Sequence, residues 1–195
     1  WNSIGADNNG TPTGIVNLQY AARRFAASAL VMVGAERPTG APEGQRPRWM
    51  WDSWVQWHPH RVLAFVGQFN AGFERNAFGV SSWLAASLAA RWHPSVRFYV
   101  AARGEFFPEW SASSPLGAAT PIFWGGASSV ASATLTVAWR PLPQALVRLE
   151  YRQDWSSGQP RFYRGDVVGD GSVTSPFVPS SFSQGTVTLA ANIWF

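Results

Sequence analysis

Cysteine is absent from the chain, and so is lysine. The first absence removes disulfides and thiolate metal sites and fits a cell-envelope protein. The second leaves arginine as the only strong cation, fifteen in all. Charge of either sign is scarce. Only 13% of the 195 residues are charged, about half the usual globular share. No stretch of about 20 continuously apolar residues exists, so a transmembrane helix is excluded. The uncharged run from Trp110 to Trp139 is long enough, but Pro115, Pro121 and many Ser, Thr and Gly disqualify it. The net charge of +4 does not mark a nucleic-acid binder. The arginines are scattered among the segments, with neither a basic cluster nor a glycine-rich phosphate loop, and nucleic acid is rejected as a partner.

Aromatic residues reach 15%, with twelve Trp, and the chain is full of short segments that alternate apolar and polar residues. Leu135, Val137 and Trp139 alternate with Thr134 and Thr136. Ala145, Val147, Leu149 and Tyr151 oppose Arg148, Glu150, Arg152 and Asp154. Val100 and Ala102 oppose Tyr99, Arg103 and Glu105, with Arg97 assigned to the same polar side. Leu63, Phe65, Phe69 and Phe73 oppose Gln68, Asn70 and Glu74; Trp49, Trp51, Val55 and Trp57 oppose Asp52 and Gln56; Val16, Leu18 and Tyr20 oppose Asn17 and Gln19. The segment from Phe25 to Gly34 is apolar on both sides and has no orientation of its own. A period of two is the signature of strands with one apolar face. Nine are predicted, at 13–22, 25–35, 48–57, 61–73, 81–92, 96–107, 130–140, 145–155 and 185–195. Most have about ten residues, the length a tilted strand needs to cross hydrocarbon. Low charge, no apolar block and many alternating segments suit a lipid-facing antiparallel up-and-down β-barrel, whose backbone polar groups are satisfied between strands.

Three segments share a pattern: Trp57-His58-Pro59, Trp92-His93-Pro94 and Trp139-Arg140-Pro141. Each predicts a tight hairpin connection in which Pro breaks the ladder. Trp57, Trp92 and Trp139, with Phe195, would form an interfacial aromatic girdle. A fourth turn is predicted between Ala22 and Phe25. The other connections, Glu36 to Pro47, Pro108 to Ala127 and Ser156 to Gln184, are long and polar, which is unusual in compact soluble domains. Short turns on one rim and long loops on the other match outer-membrane barrels. The short turns and the C-terminus are therefore expected in the periplasm, and the long loops outside the cell. Nine strands ending in the periplasm start outside, whereas bacterial barrels have even strand counts. Residues 1–195 are accordingly expected to be the C-terminal portion of a single larger barrel domain, with N-terminal strands missing before Trp1.

The last eleven residues alternate up to Phe195, where a soluble protein would usually fray. They resemble the closing strand of a bacterial outer-membrane barrel, whose terminal aromatic is a signal to the barrel-insertion machinery. More broadly, the segments Trp1-Asn2 with Asp7–Gly10, Arg103–Phe107, Ala133–Val137 through Val147–Asp154 and Ser183–Leu189 together resemble the OmpL-like family of bacterial β-barrel porins. Trp1-Asn2 with Asp7-Asn8-Asn9-Gly10 is similar to an outer loop of that family. Arg103-Gly104-Glu105-Phe106-Phe107 is similar to its Arg-Gly-Glu-Tyr-Phe segment. Ala133–Val137 through Val147–Asp154 resembles its penultimate hairpin, and Ser183–Leu189 its closing strand. These motifs are structural, and none is catalytic. The Trp-rich turns depart from the family, which has Tyr or Lys near Thr-Pro, and the long loops are the chain's own.

Candidate chemistry is sparse. His58, His60 and His93 lie in or beside predicted turns. The pair His58 and His60 has no carboxylate nearby and no third ligand, so solvated turn histidines are the better reading than a metal site. A lipid-cleaving enzyme would need a Ser-His pair near the outer leaflet, and these histidines sit at the opposite rim. The segment from Asp166 to Gly171 lacks the ligand pattern of a calcium loop. No enzyme, metal or cofactor is expected. The pore-lining candidates are Arg97, Arg103, Glu105, Arg148, Glu150, Arg152 and Asp154. They read either as an interior salt-bridge ladder or as charges lining a water-filled channel, and the two are compatible. The sequence thus points to an outer-membrane porin for passive diffusion of small hydrophilic solutes or ions, embedded in a lipid bilayer. The alternative is an occluded barrel serving as scaffold in an envelope assembly, as a homo-oligomer or with a surface partner. Loop aromatics such as Trp110, Phe123, Trp124, Phe162, Tyr163 and Phe177 favour that alternative.

Overall fold

The structure, a computed structural model, describes residues 10–36, 46–116, 119–120, 122–123, 128–163, 168–169, 171–172 and 174–195. Its elements in chain order are β1 (Gly14–Ala22), β2 (Phe25–Ala35), β3 (Pro47–His60), β4 (Leu63–Asn76), β5 (Gly79–Ser95), β6 (Phe98–Trp110), β7 (Ala112–Ser113), β8 (Ala119–Thr120), β9 (Ser129–Leu142), β10 (Ala145–Ser156) and β11 (Ser183–Ile193). The described residues contain no helix. Nine strands form one antiparallel up-and-down sheet in the order β1-β2-β3-β4-β5-β6-β9-β10-β11, with β1 and β11 at its two ends and the sheet not closed on itself. The short β7 and β8 pair only with each other.

All nine expected strands are present, but the hairpins turn later than the Trp-X-Pro motifs suggest. The connections are the two-residue turns Arg61-Val62, Val96-Arg97 and Pro143-Gln144, with Arg23-Arg24 as the fourth. Pro59, Pro94 and Pro141 lie inside β3, β5 and β9. Proline deletes one donor from a ladder but does not stop the chain from remaining extended. The N–H of His93 still reaches the Val62 carbonyl at 2.8 Å. At the opposite end the β4–β5 link is also tight: only Ala77 and Phe78 separate the strands, and the Asn76 side chain accepts the Phe78 N–H at 3.0 Å.

Two compact units divide the chain. One comprises Trp1–Trp57, Gly67–Ala86 and Phe107–Ala127; the other comprises His58–Val66, Ser87–Phe106 and Ser128–Phe195. In the first unit the register orients the doubly apolar β2. Phe25, Val31 and Val33 stand opposite Trp57, Trp51 and Trp49, while Ala29 and Val31 stand opposite Leu18 and Val16. That face is apolar except at Ser53, which stands opposite Ala29. Its reverse carries Asn17, bonded by the Ser28 hydroxyl at 2.8 Å. In the second unit Leu135, Val137 and Trp139 pair with Tyr151, Leu149 and Val147 on the apolar face, and Thr134 and Thr136 pair with Arg152 and Glu150 on the polar face.

Burial is inverted relative to a water-soluble fold. Ser132, Thr134, Thr136 and Asp154 are buried, as are Arg48, Glu74 and Glu109, whereas Leu135, Leu149, Leu189, Trp51 and Trp139 are among many large apolar side chains left exposed. Soluble proteins bury the opposite set.

Candidate functional site: the polar face of the sheet

Alternation along β6, β9 and β10 places charges on one face because the side-chain period of a strand is two. In the second unit the centre of that face is Glu105. Its Oε2 accepts from the Ser132 hydroxyl at 2.6 Å and from Arg152 Nη1 at 2.9 Å, with Arg103 Nη2 at 3.6 Å. Arg152 Nε also donates to Asp154 Oδ1 at 2.8 Å. Five of the sequence-predicted residues therefore meet or adjoin one another: Arg103, Glu105, Arg152 and Asp154 in one ion-pair chain, and Glu150 two residues along β10, accepting from Thr136 Oγ1 at 3.0 Å. Arg148 stands opposite Ala138 and Ala190 on the same face. A hollow of about 190 Å³ opens among Ala89, Ala101, Ala102, Arg103, Thr134, Thr136 and Glu150. Small side chains on β5 and β6 leave that space beside the charges.

Arg97 does not join them. It occupies the turn before β6, is exposed, and uses its carbonyl to accept the Arg140 N–H at 2.7 Å. With Arg97 removed, the mid-strand charges comprise Arg103, Arg148 and Arg152 against Glu105, Glu150 and Asp154, and they balance.

The first unit holds a polar cluster that the sequence did not reveal. Arg48 and Glu74 are both buried and bonded twice, Nε to Oε2 at 2.7 Å and Nη2 to Oε2 at 2.6 Å; Glu36 lies 4.0 Å from Arg48. Farther along the same face, Asp52 accepts from Asn70 at 3.1 Å, and Asn70 accepts from the Trp83 indole at 2.6 Å. Trp83 lies flat against Gly72, where any Cβ would collide with its ring. The long connection after β6 folds back onto this cluster. Glu109 accepts the N–H groups of Ile122 and Phe123, the latter at 2.8 Å. Phe123 then stacks edge-on against Trp83 at 5.2 Å and Phe107 at 5.4 Å.

Trp57, Trp92 and Trp139 are exposed near the short turns, the positions proposed for a girdle. Eight residues from Trp57 along β3 stands Trp49, and eight residues along β10 from Val147, the partner of Trp139, stands Trp155. Both are exposed. In each unit, then, a second exposed tryptophan stands eight residues along the sheet from one near the short turns. Phe195 lies past the end of β11 and is fully exposed, while the preceding Trp194 still donates its N–H to Gln144 at 3.1 Å.

The histidines are not gathered into a ligand set; His60 Nδ1 caps the Val62 N–H at 3.4 Å. Among the described residues no group of three or more His, Asp or Glu side chains is placed to hold a metal. Trp1 to Asn9, Trp124, and Asp166 and Asp170 of the acidic loop lie outside the described residues.

A family model described as "Putative beta-barrel porin-2, OmpL-like" matches residues 1–195, the whole chain. No curated protein matches, and neither does a solved structure.

Proposed function

The chain belongs to the OmpL-like β-barrel porin family, and from that premise we propose that it is a passive outer-membrane porin for small hydrophilic solutes or ions. The family supplies the barrel, the porin role and the bacterial outer membrane as the setting. The observation that carries the finer reading is the inverted burial: Thr134, Thr136 and Asp154 are covered while Leu135, Leu149 and Trp139 are bare. Exposed apolar faces of this extent are stable only against lipid, and covered polar faces fit a hydrated lumen. The tryptophan pairs support the same geometry. Eight residues of strand span about 27 Å, and with a tilt of roughly 40° they cover about 20 Å of depth, close to the apolar band of an outer-membrane barrel.

In this reading Arg103, Glu105, Arg148, Glu150, Arg152 and Asp154 line the pore. The four short turns face the periplasm with the C-terminus, the long connections face outward, and the insertion machinery reads the exposed Phe195. Residues beyond Trp57, Trp92 and Trp139 toward the turns lie outside the membrane-spanning segments.

A specific contact favours a second reading, an occluded barrel that serves as a scaffold. Phe123, pinned by Glu109 and packed on Trp83 and Phe107, brings loop residues onto the polar face. Planar-bilayer recording on the refolded protein decides between them. Discrete conductance steps are expected for the porin. Membranes that contain folded protein yet carry no open-channel current would establish the occluded barrel instead.

A further inference from the structure

The short turns sit in the middle of acid-free stretches. No Asp or Glu occurs between Asp52 and Glu74, between Glu74 and Glu105, or between Glu109 and Glu150. Within those stretches the second unit places Arg61 and Arg97 in turns, and Arg91, His93 and Arg140 at the strand ends beside them. None of these four arginines makes an ion pair among the described residues. Aromatic rings hold two of them instead. The Arg91 guanidinium lies 5.9 Å over the Tyr99 ring, and that of Arg140 lies 5.6 Å over the Trp194 ring.

The mode of holding matters. A carboxylate partner neutralises a guanidinium and consumes its N–H donors, as Glu105 and Asp154 do for Arg152. A ring face fixes the guanidinium plane through cation–π attraction and leaves the in-plane donors free. Those donors match the oxygens of carboxylates and phosphates. The His93 ring lies 5.3 Å from that of Tyr99. The His93 pKa is lowered by partial burial and by the charges of Arg91 and Arg140.

Arg91 follows Ala89 by two residues and so falls on the polar face, whereas Arg140 lies where the β9 register shifts, between Trp139 opposite Val147 and Leu142 opposite Ala145, and reaches the Trp194 ring. Ala89 lines the hollow on the polar face, and Ala138 is buried opposite Arg148. The Arg91 charge is therefore offered to what enters or leaves along that face rather than to lipid, and Arg140, whose N–H bonds the Arg97 carbonyl at 2.7 Å, offers its charge at the adjoining turn. Mid-strand in the same unit the charges are balanced, three cations against three anions. We infer that the short-turn mouth of this protein is an anion-collecting site, in which Arg91 and Arg140, backed by the turn arginines Arg61 and Arg97, bind small solutes bearing a carboxylate or phosphate. This rests on the porin reading and deepens it by naming the solute class and the residues that select it. Low-dielectric walls focus such a field, and salt weakens it once the Debye length falls below the width of the mouth.

The test is the reversal potential of the refolded protein in a bilayer under a KCl gradient, repeated with citrate and with inorganic phosphate as the anion. Wild-type protein should prefer anions, and the preference should fade toward 1 M salt. The double variant Arg91→Gln with Arg140→Gln should lower the anion-to-cation permeability ratio by about threefold or more, whereas Arg91→Lys with Arg140→Lys should retain most of it. Conducting channels whose ratio is the same in all three proteins would overturn the anion site and leave the porin reading intact. Absence of current from wild-type protein would instead overturn the porin reading. Calorimetric titration of the refolded protein with citrate then decides the site alone: heat of binding that disappears in the Gln variant supports it, and no binding by wild-type protein sinks it.

Discussion

Leu135 provides the sharpest check on which face meets lipid. It stands opposite Tyr151, four residues from Val147 at the level of Trp139 and four residues from Trp155, halfway between the two tryptophans. Ala133 is two positions nearer Trp155, and Ala131 stands opposite Trp155 itself. All three occupy the apolar face, so substitution by Arg samples depth with little change in packing. An Arg on the lipid face of a barrel costs about 2–4 kcal/mol at the midplane and about 0–1 kcal/mol near the interface. Each strand residue advances about 3.3 Å, so Ala133 sits roughly 5 Å off the midplane after tilt, and an intermediate cost is expected there. The ranking should be Leu135→Arg, then Ala133→Arg, then Ala131→Arg. At about 1.4 kcal/mol per factor of ten, the first should lower the folded-to-unfolded ratio by roughly 30-fold to 1,000-fold. Urea titration of the protein refolded in phospholipid vesicles measures all three. A flat profile, or one that is largest at Ala131, would refute the assignment of this face to lipid and of the tryptophans to its borders.

Two other perturbations follow from single contacts. Deleting Phe195, which is fully exposed beyond β11, should lower the amount of protein assembled in the outer membrane of cells while leaving refolding in detergent nearly unchanged; equal membrane levels of the truncated and intact chains would remove the terminal aromatic as an assembly signal. Glu74→Gln should destabilise the protein by about 3 kcal/mol, since it strips the buried Arg48 of its closest counter-charge, whereas replacing the pair together by Arg48→Met and Glu74→Leu should recover most of that loss. Denaturant midpoints of the three variants read this directly, and a Glu74→Gln protein as stable as the original would show that Arg48 does not depend on it.

Strand existence and facing were legible because lipid imposes a strict rule on one face only. The alternation Thr134, Leu135, Thr136, Val137 survives without any knowledge of the partners of β9, since every second residue must tolerate hydrocarbon. Orientation failed for β2 because Leu30 and Met32 put apolar side chains on the polar face as well. The pairing of Val31 with Trp51 and Val16, and of Phe25 with Trp57, resolves it. The turns lie a few residues past the Trp-X-Pro motifs because Pro there does not stop the strand. Extended backbone tolerates Pro near the end of a ladder, and the hairpin closes at the pairs that follow, Arg61-Val62 and Val96-Arg97.

The charges along the polar face show why the site was harder to read than the fold. Arg48 and Glu74 are 26 residues apart, and Glu109 reaches Phe123 across a long connection, so no local pattern announces either contact. Arg97 illustrates a finer limit. Counted into the strand, it makes the wall cationic; placed in the turn, it leaves Arg103, Arg148 and Arg152 matched by Glu105, Glu150 and Asp154. A boundary displaced by two residues thus moves the positive excess from mid-strand to the turn end of the sheet. The physical consequence is large, because a charge matched by neighbours contributes little field at a distance, whereas unmatched arginines project theirs farther. Arg91 and Arg140, held by Tyr99 and Trp194 rather than by carboxylates, are where that excess resides.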